Sequence, residues 1–211
     1  MVKPLEHYFS NNPQIKSELR KVDAKIGELR LSFFSDNGVF SKDKIDFGSN
    51  LLVTEIMKNI ETAPTNILDV GCGYGFMGIC LSKFFSCQAD LVDVNERAVH
   101  LCKKNIALNE VSANAFISDI YENIKDKYNL ILTNPPIRAG KETVLKFLKE
   151  AKNHLSDDGS LWFVIKKDQG AKSILKLLEN DYNCQIVNKS KGFYVIKAEN
   201  RWLLLILLLK F

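Results

Sequence analysis

Two short segments of the 211-residue sequence combine residue types that could hold a nucleotide-like ligand and orient an amine. The first is Gly71-Cys72-Gly73-Tyr74-Gly75, with Asp69 two residues before it. Glycines at such a turn let the backbone approach a ligand and present N–H groups to it. The second is Asn134-Pro135-Pro136, in which the Asn134 side-chain oxygen and the Pro135 carbonyl can both accept hydrogen bonds from one planar NH2 group.

The glycine segment fits two classes of ligand. Gly73 and Gly78 have the outer spacing of GxGxxG, and Asp93 follows Gly73 by 20 residues, as in NAD-binding proteins. Asp69 favours a different ligand, because a carboxylate at the mouth of the loop would repel a pyrophosphate. Two unit charges ~4 Å apart cost roughly 4 kcal/mol at an effective dielectric constant of about 20. S-Adenosylmethionine fits better, since it has an ammonium, a sulfonium and no phosphate.

Three side chains downstream would complete such a site. Asp93 could accept hydrogen bonds from the two ribose hydroxyls, and Asp119 could accept one from the adenine N6 amine. Ile120 could pack on the adenine face. The alternative for Asp119 is a helix N-cap, and the alternative for Asp69 is an exposed turn carboxylate.

The Asn-Pro-Pro segment suits transfer to a weakly nucleophilic nitrogen. Its two prolines remove two N–H donors and stiffen the turn. The lone pair of an exocyclic or amide nitrogen is delocalised, so two fixed acceptors would orient the nitrogen and stabilise the positive charge that develops. Asn-Pro-Pro is by itself a common turn. The interpretation as an amine-binding segment therefore depends on its position. It follows a predicted strand, at the same edge of the sheet as the glycine segment, which we call the glycine loop.

The elements that must position both segments alternate along the chain. Apolar runs predict strands at residues 66–70, 89–94, 114–118, 128–133 and 160–165, and helical periodicity predicts helices at 49–60, 76–85, 96–108, 142–155 and 169–179. This alternation indicates a mainly parallel sheet, with ligands at the carboxyl ends of its strands. Residues 184–188 and 193–198 predict a closing antiparallel hairpin around Lys191-Gly192. Near the N-terminus, the partly alternating segment 26–34, followed by a turn signal at 35–38, predicts a small hairpin in which 26–34 is a strand.

Composition and charge narrow the class of protein. Apolar residues make up 46% and charged residues 26%, which excludes global disorder. The longest apolar run, residues 202–209, is shorter than the roughly 20 residues of a membrane span, and residues 1–10 have no signal-peptide core. Five cysteines without a CxxC pair predict neither disulfides nor a metal site. We therefore expect a cytoplasmic protein with no membrane or metal partner.

The net charge of +4 is unevenly distributed, being −3 in residues 61–120 and +6 in residues 121–211. The basic last third could contact a phosphate backbone, or it could be a solvated lysine-rich surface.

Four segments together resemble the class I S-adenosylmethionine-dependent methyltransferases, and within them the methyltransferase small domain family, close to the bacterial 16S rRNA guanine-N2 methyltransferases. They are LDVGCGYG (68–75), VDVN (92–95), NPPIRAGK (134–141) and GVFSKDKIDFGSNLL (38–52). The resemblance implies an α/β, Rossmann-like fold. Its seven-stranded, mostly parallel sheet would have a C-terminal antiparallel hairpin and helices on both faces. We expect three parts: an N-terminal extension (1–48), a cofactor-binding domain (49–200) and an apolar tail (201–211).

The resemblance also implies roles for particular residues and a partner, ribosomal RNA or the small ribosomal subunit. The expected cofactor-binding residues are Asp69, Gly71, Gly73, Gly75, Asp93, Asp119, Ile120, Gly48 and Ser49. Those expected to hold the amine are Asn134, Pro135 and Pro136. Phe40 and Ile137 are expected at the acceptor pocket, although many amine methyltransferases have an aromatic residue at the position of Ile137. With no room in 211 residues for the extra N-terminal half of two-domain relatives, RNA docking would rest on the N-terminal hairpin and on Arg138, Lys141, Lys42 and Lys44.

Several alternatives remain open from the sequence. Methylation of a glutamine amide in a translation factor, or of adenine N6 in a nucleic acid, would use the same Asn-Pro-Pro chemistry. A non-catalytic module that binds the cofactor or RNA is a third alternative, and an NAD-dependent oxidoreductase a fourth.

Overall fold

Nine strands and five α-helices alternate within residues 15–201, the part of the chain that this computed structural model describes. The strands are β1 (Arg20–Ile26), β2 (Leu29–Ser35), β3 (Asn66–Val70), β4 (Gln88–Asp93), β5 (Ala113–Ile117), β6 (Tyr128–Thr133), β7 (Leu155–Lys166), β8 (Tyr182–Ser190) and β9 (Phe193–Asn200). The helices are α1 (Phe47–Asn59), α2 (Phe76–Phe85), α3 (Glu96–Asn109), α4 (Lys141–Lys149) and α5 (Ala171–Leu178).

Strands β3 to β9 form one seven-stranded sheet in the order β5-β4-β3-β6-β7-β9-β8. Neighbours among β3 to β7 pair in parallel, whereas β9 is antiparallel to both β7 and β8. The expected fold class is therefore confirmed, including the C-terminal hairpin. The strand order reverses between β3 and β6, so the loops after these two strands open the crevice in which such sheets bind ligands.

Both faces of the sheet are covered, as the apolar character of its central strands predicts. On β3, Ile67 packs into the core on the side of α1 and α2, while Leu68 and Val70 pack into the core on the side of α4 and α5. Asp69 shares the face of Ile67, because side chains alternate along a strand. A carboxylate is thereby placed inside an apolar layer.

The N-terminal hairpin turns at Gly27 and Glu28, not at residues 35–38 as predicted from the sequence. Gly27 adopts a φ of +58°, which a tight hairpin turn requires and which glycine adopts without strain. The segment 26–34, interpreted as one strand, therefore straddles the turn. Asp36 instead accepts hydrogen bonds from the Ser17 hydroxyl and from the backbone N–H of Glu18.

The open edge of β2 is covered by two asparagines of α3. Asn105 Oδ1 accepts from the Phe34 N–H at 2.7 Å, and its Nδ2 donates to the Phe34 carbonyl at 2.9 Å. Asn109 bonds the N–H and carbonyl of Ser32 in the same way. Since Asn105 Nδ2 also donates to the Tyr74 carbonyl at 2.8 Å, the hairpin is fastened to the glycine loop.

Two predicted helices have different bounds in the structure. Helix α1 begins at Phe47 with Asp46 as its N-cap, two residues before the start predicted at residue 49. Helix α4 ends at Lys149, followed by a 3₁₀ turn over Glu150–Asn153, and residue 155 already belongs to β7. Gly159 lies inside β7 beside a register shift, where an added Cβ would approach the Tyr128 carbonyl to 2.7 Å. The absence of a side chain at Gly159 thus permits a close contact between β7 and β6.

The described residues include no helix long and apolar enough to cross a membrane. The expectations for residues 1–10 and for the apolar run at 202–209 concern segments outside the described residues.

Candidate active site

A cavity of about 920 Å³ lies at the carboxyl edge of the sheet, between the loops that follow β3 and β6. It brings together fourteen of the residues expected from the sequence: Phe40, Lys42, Lys44, Ser49, Gly71, Gly73, Asp93, Asp119, Ile120, Asn134, Pro135, Pro136, Ile137 and Arg138. Four expected residues do not line it, namely Gly48, Asp69, Gly75 and Lys141. The volume is within the range of small-molecule and cofactor sites.

The glycine loop is held open by backbone hydrogen bonds. The N–H groups of Gly71 and Cys72 both donate to the Val92 carbonyl, at 2.8 and 2.9 Å. Gly75 has a φ of +92° and serves as the N-cap of α2. A Cβ there would approach Cys102 Sγ to 2.6 Å, so Gly75 shapes the loop from behind rather than from the cavity.

Asp93, at the end of β4, joins the cavity wall to the glycine loop. One carboxylate oxygen accepts from the Gly73 N–H and the other from the Asn95 N–H, both at 2.9 Å. Burial raises the pKa of Asp93, while these hydrogen bonds oppose the rise. Each carboxylate oxygen can still accept a further hydrogen bond, as a pair of vicinal hydroxyls would require.

Asp69 lies beneath the loop and not at its mouth, which differs from the placement expected from the sequence. It is fully buried, and its Oδ2 accepts from the Gly78 N–H at 2.8 Å. Within the described part of the chain, its Oδ1 has no hydrogen-bond partner. Burial, with a smaller contribution from the charge of Asp93, raises the pKa of Asp69 to about 7 against the opposing Gly78 bond. Because Asp69 does not line the cavity, the repulsion of a pyrophosphate at ~4 Å that was expected from the sequence does not apply.

The loop after β5 supplies another part of the wall. Asp119 is exposed to the cavity, and Ile120 beside it has a φ of +53°, an unusual conformation for a β-branched residue. Ser118 holds this bend, because its hydroxyl donates to the Ile120 carbonyl and accepts from the Asn123 N–H, both at 3.1 Å. The strained backbone turns Ile120 toward the cavity as a half-buried apolar surface.

Asn134 is clamped at the cavity by the start of α1. Its Nδ2 donates to Asp46 Oδ2 at 3.0 Å and to Ser49 Oγ at 2.9 Å. Because a carboxylate only accepts hydrogen bonds, Asp46 fixes which end of the amide faces it. Across residues 15–201 no protein donor bonds Asn134 Oδ1, so this oxygen and the Pro135 carbonyl are the acceptors at the end of β6.

Asp46 was not among the residues expected to form the site. Its Oδ2 also accepts from the Ser49 N–H at 2.8 Å and from the Ser49 hydroxyl at 3.1 Å. The signal for it in the sequence is an aspartate three residues before a serine at the start of a helical pattern, which is typical of an N-cap. Phe193 and Lys166 also line the cavity. They arrive from β9 and β7, and no local motif marks them.

The other expected acceptor-side residues are spread over the rim. Phe40 and Arg138 are exposed and line the cavity, as do Lys42 and Lys44. Lys141 instead donates to the Ser173 hydroxyl at 2.7 Å and lines a neighbouring cavity of about 270 Å³. Ile137 borders both cavities, so it forms part of the partition between them.

Comparison with known proteins adds independent information. The family model described as "Methyltransferase small domain" matches residues 30–197. YbxB of Bacillus subtilis (strain 168) is 40% identical over 199 residues, which cover 92% of this chain and 98% of YbxB. Ribosomal RNA small subunit methyltransferase C of Haemophilus influenzae (strain PittGG) is 30% identical over 175 residues, or 81% of this chain and 52% of that protein.

Among solved structures, the T. thermophilus 16S rRNA N2 G1207 methyltransferase (RsmC) in complex with AdoMet and guanosine superimposes with a TM-score of 0.79. It is 24% identical, and the match covers 90% of this chain and 52% of that one. The chain thus spans about half the length of these methyltransferase C relatives. At this identity the structural similarity shows the fold.

Proposed function

We propose that this chain, which belongs to the methyltransferase small domain family, transfers a methyl group from S-adenosylmethionine to the N2 amine of a guanine in 16S ribosomal RNA. Family membership confirms the expectation that S-adenosylmethionine is the cofactor. The choice of guanine N2 and of ribosomal RNA is the finer part of the proposal.

The residues at the cavity fit that cofactor. Asp93 offers two carboxylate oxygens for the ribose hydroxyls, and the Gly71 and Gly73 backbone borders the same wall. Asp119 and Ile120 provide an acceptor and an apolar surface for the adenine. Ser49 lies next to Asn134, which suits the reacting end of the cofactor. When bound, the cofactor supplies an electrophilic methyl group on a sulfonium.

The observation that carries the proposal is the fixed amide of Asn134. Both Nδ2 hydrogens are used by Asp46 and Ser49, so Oδ1 is left to accept from a substrate. Together with the Pro135 carbonyl, it can accept both hydrogens of one NH2 group. Such an arrangement orients the nitrogen lone pair and stabilises positive charge as the new C–N bond forms and the C–S bond of the sulfonium breaks, its electron pair staying on sulfur as a neutral thioether. The nitrogen then loses one proton, which has become acidic, to water.

The relatives and the basic rim of the cavity support ribosomal RNA as the acceptor. The methyltransferase C relatives are named for ribosomal RNA of the small subunit, and the superimposed structure for N2 of a 16S rRNA guanine. Basic side chains around the cavity, including Arg138, Lys42 and Lys44, are compatible with a phosphate backbone. Guanine N2 is an exocyclic amine with the two hydrogens that the Asn134 site is built to accept.

Two of the alternatives share this chemistry, so the test must vary the acceptor. Labelled methyl transfer from S-adenosylmethionine would be measured with small ribosomal subunits, naked 16S rRNA, duplex DNA and a release factor, followed by nucleoside analysis. We expect N2-methylguanosine in 16S rRNA. Label in adenine or in the release factor would overturn the acceptor while keeping the Asn134 chemistry. Tight cofactor binding without transfer to any substrate would favour a non-catalytic module.

A further inference from the structure

The end of the C-terminal hairpin forms a basic and aromatic surface beside the active-site cavity. It consists of Phe47, Lys166, Lys191 and Phe193, and we call it the hairpin-end surface. Phe193 and Lys166 are neighbours across β9 and β7, and both line the cavity. The surface therefore continues the cavity wall outward, on the side of the sheet that carries α1.

The four side chains are in contact with one another. The Lys166 ammonium lies 5.1 Å from the centre of the Phe193 ring, and the Lys191 ammonium 4.8 Å from that of Phe47. The two rings are 5.5 Å apart and inclined by 51°. These cation–π contacts hold both ammonium groups at defined places. Within the described part of the chain, neither lysine belongs to an ion pair, so their charge is available to a partner.

The hairpin-end surface packs against the same helix turn that holds the Asn134 amide. A Cβ on Gly48 would approach the Phe193 ring to 2.9 Å, so the ring packs on the first turn of α1. The same turn holds Ser49 and follows Asp46, the two partners of the Asn134 amide. The Lys167 N–H donates to the Gly192 carbonyl at 2.8 Å, which ties the hairpin turn to the end of β7. A ligand on this surface would thus lie next to the amine site.

We propose that the hairpin-end surface binds the single-stranded RNA that flanks the target guanine, with Lys191 and Lys166 contacting its phosphates and the exposed parts of the rings contacting a base. Both charged members of the surface, Lys166 and Lys191, are cations, so charge complementarity favours a polyanion. Aromatic rings beside lysines favour single-stranded nucleic acid, because every base has a face that can stack. This inference rests on the proposed function, since it deepens the assignment of RNA as substrate.

Lys191 provides the variant, because it does not line the cavity. Its φ of +46° is tolerated by asparagine, so Lys191→Asn removes the charge without adding strain. Lys189→Gln is the matched control. Lys189 is in the same hairpin and lies 5.2 Å from the Tyr194 ring, but Tyr194 packs against the core on the opposite face of the sheet. Lys191→Arg keeps the positive charge, so it should bind RNA as wild type does.

The measurement is fluorescence anisotropy with a labelled single-stranded RNA of about 12 nucleotides, a length typical of such sites, over a series of salt concentrations. Because Lys191→Asn loses one phosphate contact, it should bind the RNA about fourfold more weakly at ~0.15 M salt. The slope of log K against log salt should become less negative by about 0.7. The KM for RNA should rise by a similar factor, with kcat and cofactor affinity unchanged. Lys189→Gln should behave as wild type.

The outcomes separate this inference from the proposed function. If wild-type protein methylates 16S rRNA but Lys191→Asn binds and reacts like wild type, the hairpin-end surface is not an RNA site and the proposed function stands. If labelled polyglutamate loses as much affinity as the RNA does, the surface binds polyanions in general and the assignment to RNA is wrong. If wild-type protein neither binds RNA nor methylates guanine, the proposed function fails first.

Discussion

The carboxylate of Asp46, at the start of α1, holds the amide of Asn134, at the end of β6, with a distance of 3.0 Å between the two bonded atoms. Asp46 is at once the N-cap of a helix and the group that orients a proposed catalytic amide. Ser49 completes the arrangement, since its hydroxyl donates to Asp46 and accepts from Asn134. The folding of α1 and the geometry of the amine site therefore depend on the same three side chains.

Replacement of Asn134 tests the site directly. We expect Asn134→Ala to lower kcat by about 10²–10³, the range found when a preorganised group is removed from a developing charge. Cofactor affinity should be unchanged, because the Asp93 wall is untouched. Turnover and calorimetric binding of S-adenosylhomocysteine are the measurements, and Asn114→Ala, which removes an exposed amide from β5, is the control. Wild-type turnover by Asn134→Ala would show that the amide does not hold the amine.

Replacement of Asp46 separates positioning from capping. Asp46→Ser keeps a side-chain oxygen that can cap α1 but is too short to reach Asn134. Asp46→Ala removes both functions. We expect both variants to lower kcat by about tenfold or more, which corresponds to loss of one hydrogen bond to a charged group. Only Asp46→Ala should also lose about 1 kcal/mol of stability in urea unfolding. A kcat that falls only in Asp46→Ala would assign Asp46 to the helix cap alone.

Asp93 should govern cofactor affinity. Its carboxylate accepts from Gly73 and Asn95 and faces the cavity, so Asp93→Ala should weaken binding by about 10- to 100-fold, the worth of a hydrogen bond to a charged group. Some of that loss would come from a disturbed glycine loop. An S-adenosylhomocysteine analogue without ribose hydroxyls distinguishes the two causes, since wild type should discriminate against it and Asp93→Ala should not. Equal discrimination by both proteins would place the ribose elsewhere.

The strands and helices that border the cavity were the most predictable parts of the chain. The bounds of β3, α2 and β6 agree with the predictions from the sequence. All three are compact apolar runs: β3 is ended by Gly71, β6 is followed by Asn134-Pro135, and α2 begins after Gly75. The lining residues on the loops after these strands followed from the rule that parallel strands present their carboxyl ends at one edge. The local sequence pattern was sufficient to predict those site residues that directly follow a strand.

The remaining site residues depend on contacts between distant segments. Phe193 reaches the cavity only because β9 pairs with β7, and Asp46 matters only because α1 begins beside Asn134. Neither relationship leaves a signal in the neighbouring sequence. Asp69 is a different case, since strand alternation places it on the face of Ile67, inside the layer covered by α1 and α2. The alternation of side chains along β3 indicates that the Asp69 carboxylate is buried. Its position just before a glycine suggested instead that it is exposed.

Burial of Asp69 should make folding depend on pH. The folded pKa of about 7 exceeds the value of about 3.9 expected in the unfolded chain. The folded protein therefore keeps a proton that the unfolded chain has already released. The stability that Asp69 contributes is fully present below about pH 4 and is lost as the pH rises through 7, by up to about 1.4 kcal/mol per pH unit.

Asp69→Asn should remove this dependence, because the amide oxygen can still accept from the Gly78 N–H while no charge needs to be buried. We expect its free energy of unfolding, relative to wild type, to increase by roughly 3 kcal/mol between about pH 5 and about pH 8 in urea titrations. Asp157→Asn, at an exposed position of β7, is the control for removal of one negative charge. A difference that does not vary with pH would mean that Asp69 is already ionised throughout that range. The carboxylate would then have to be stabilised by a group that reaches its Oδ1.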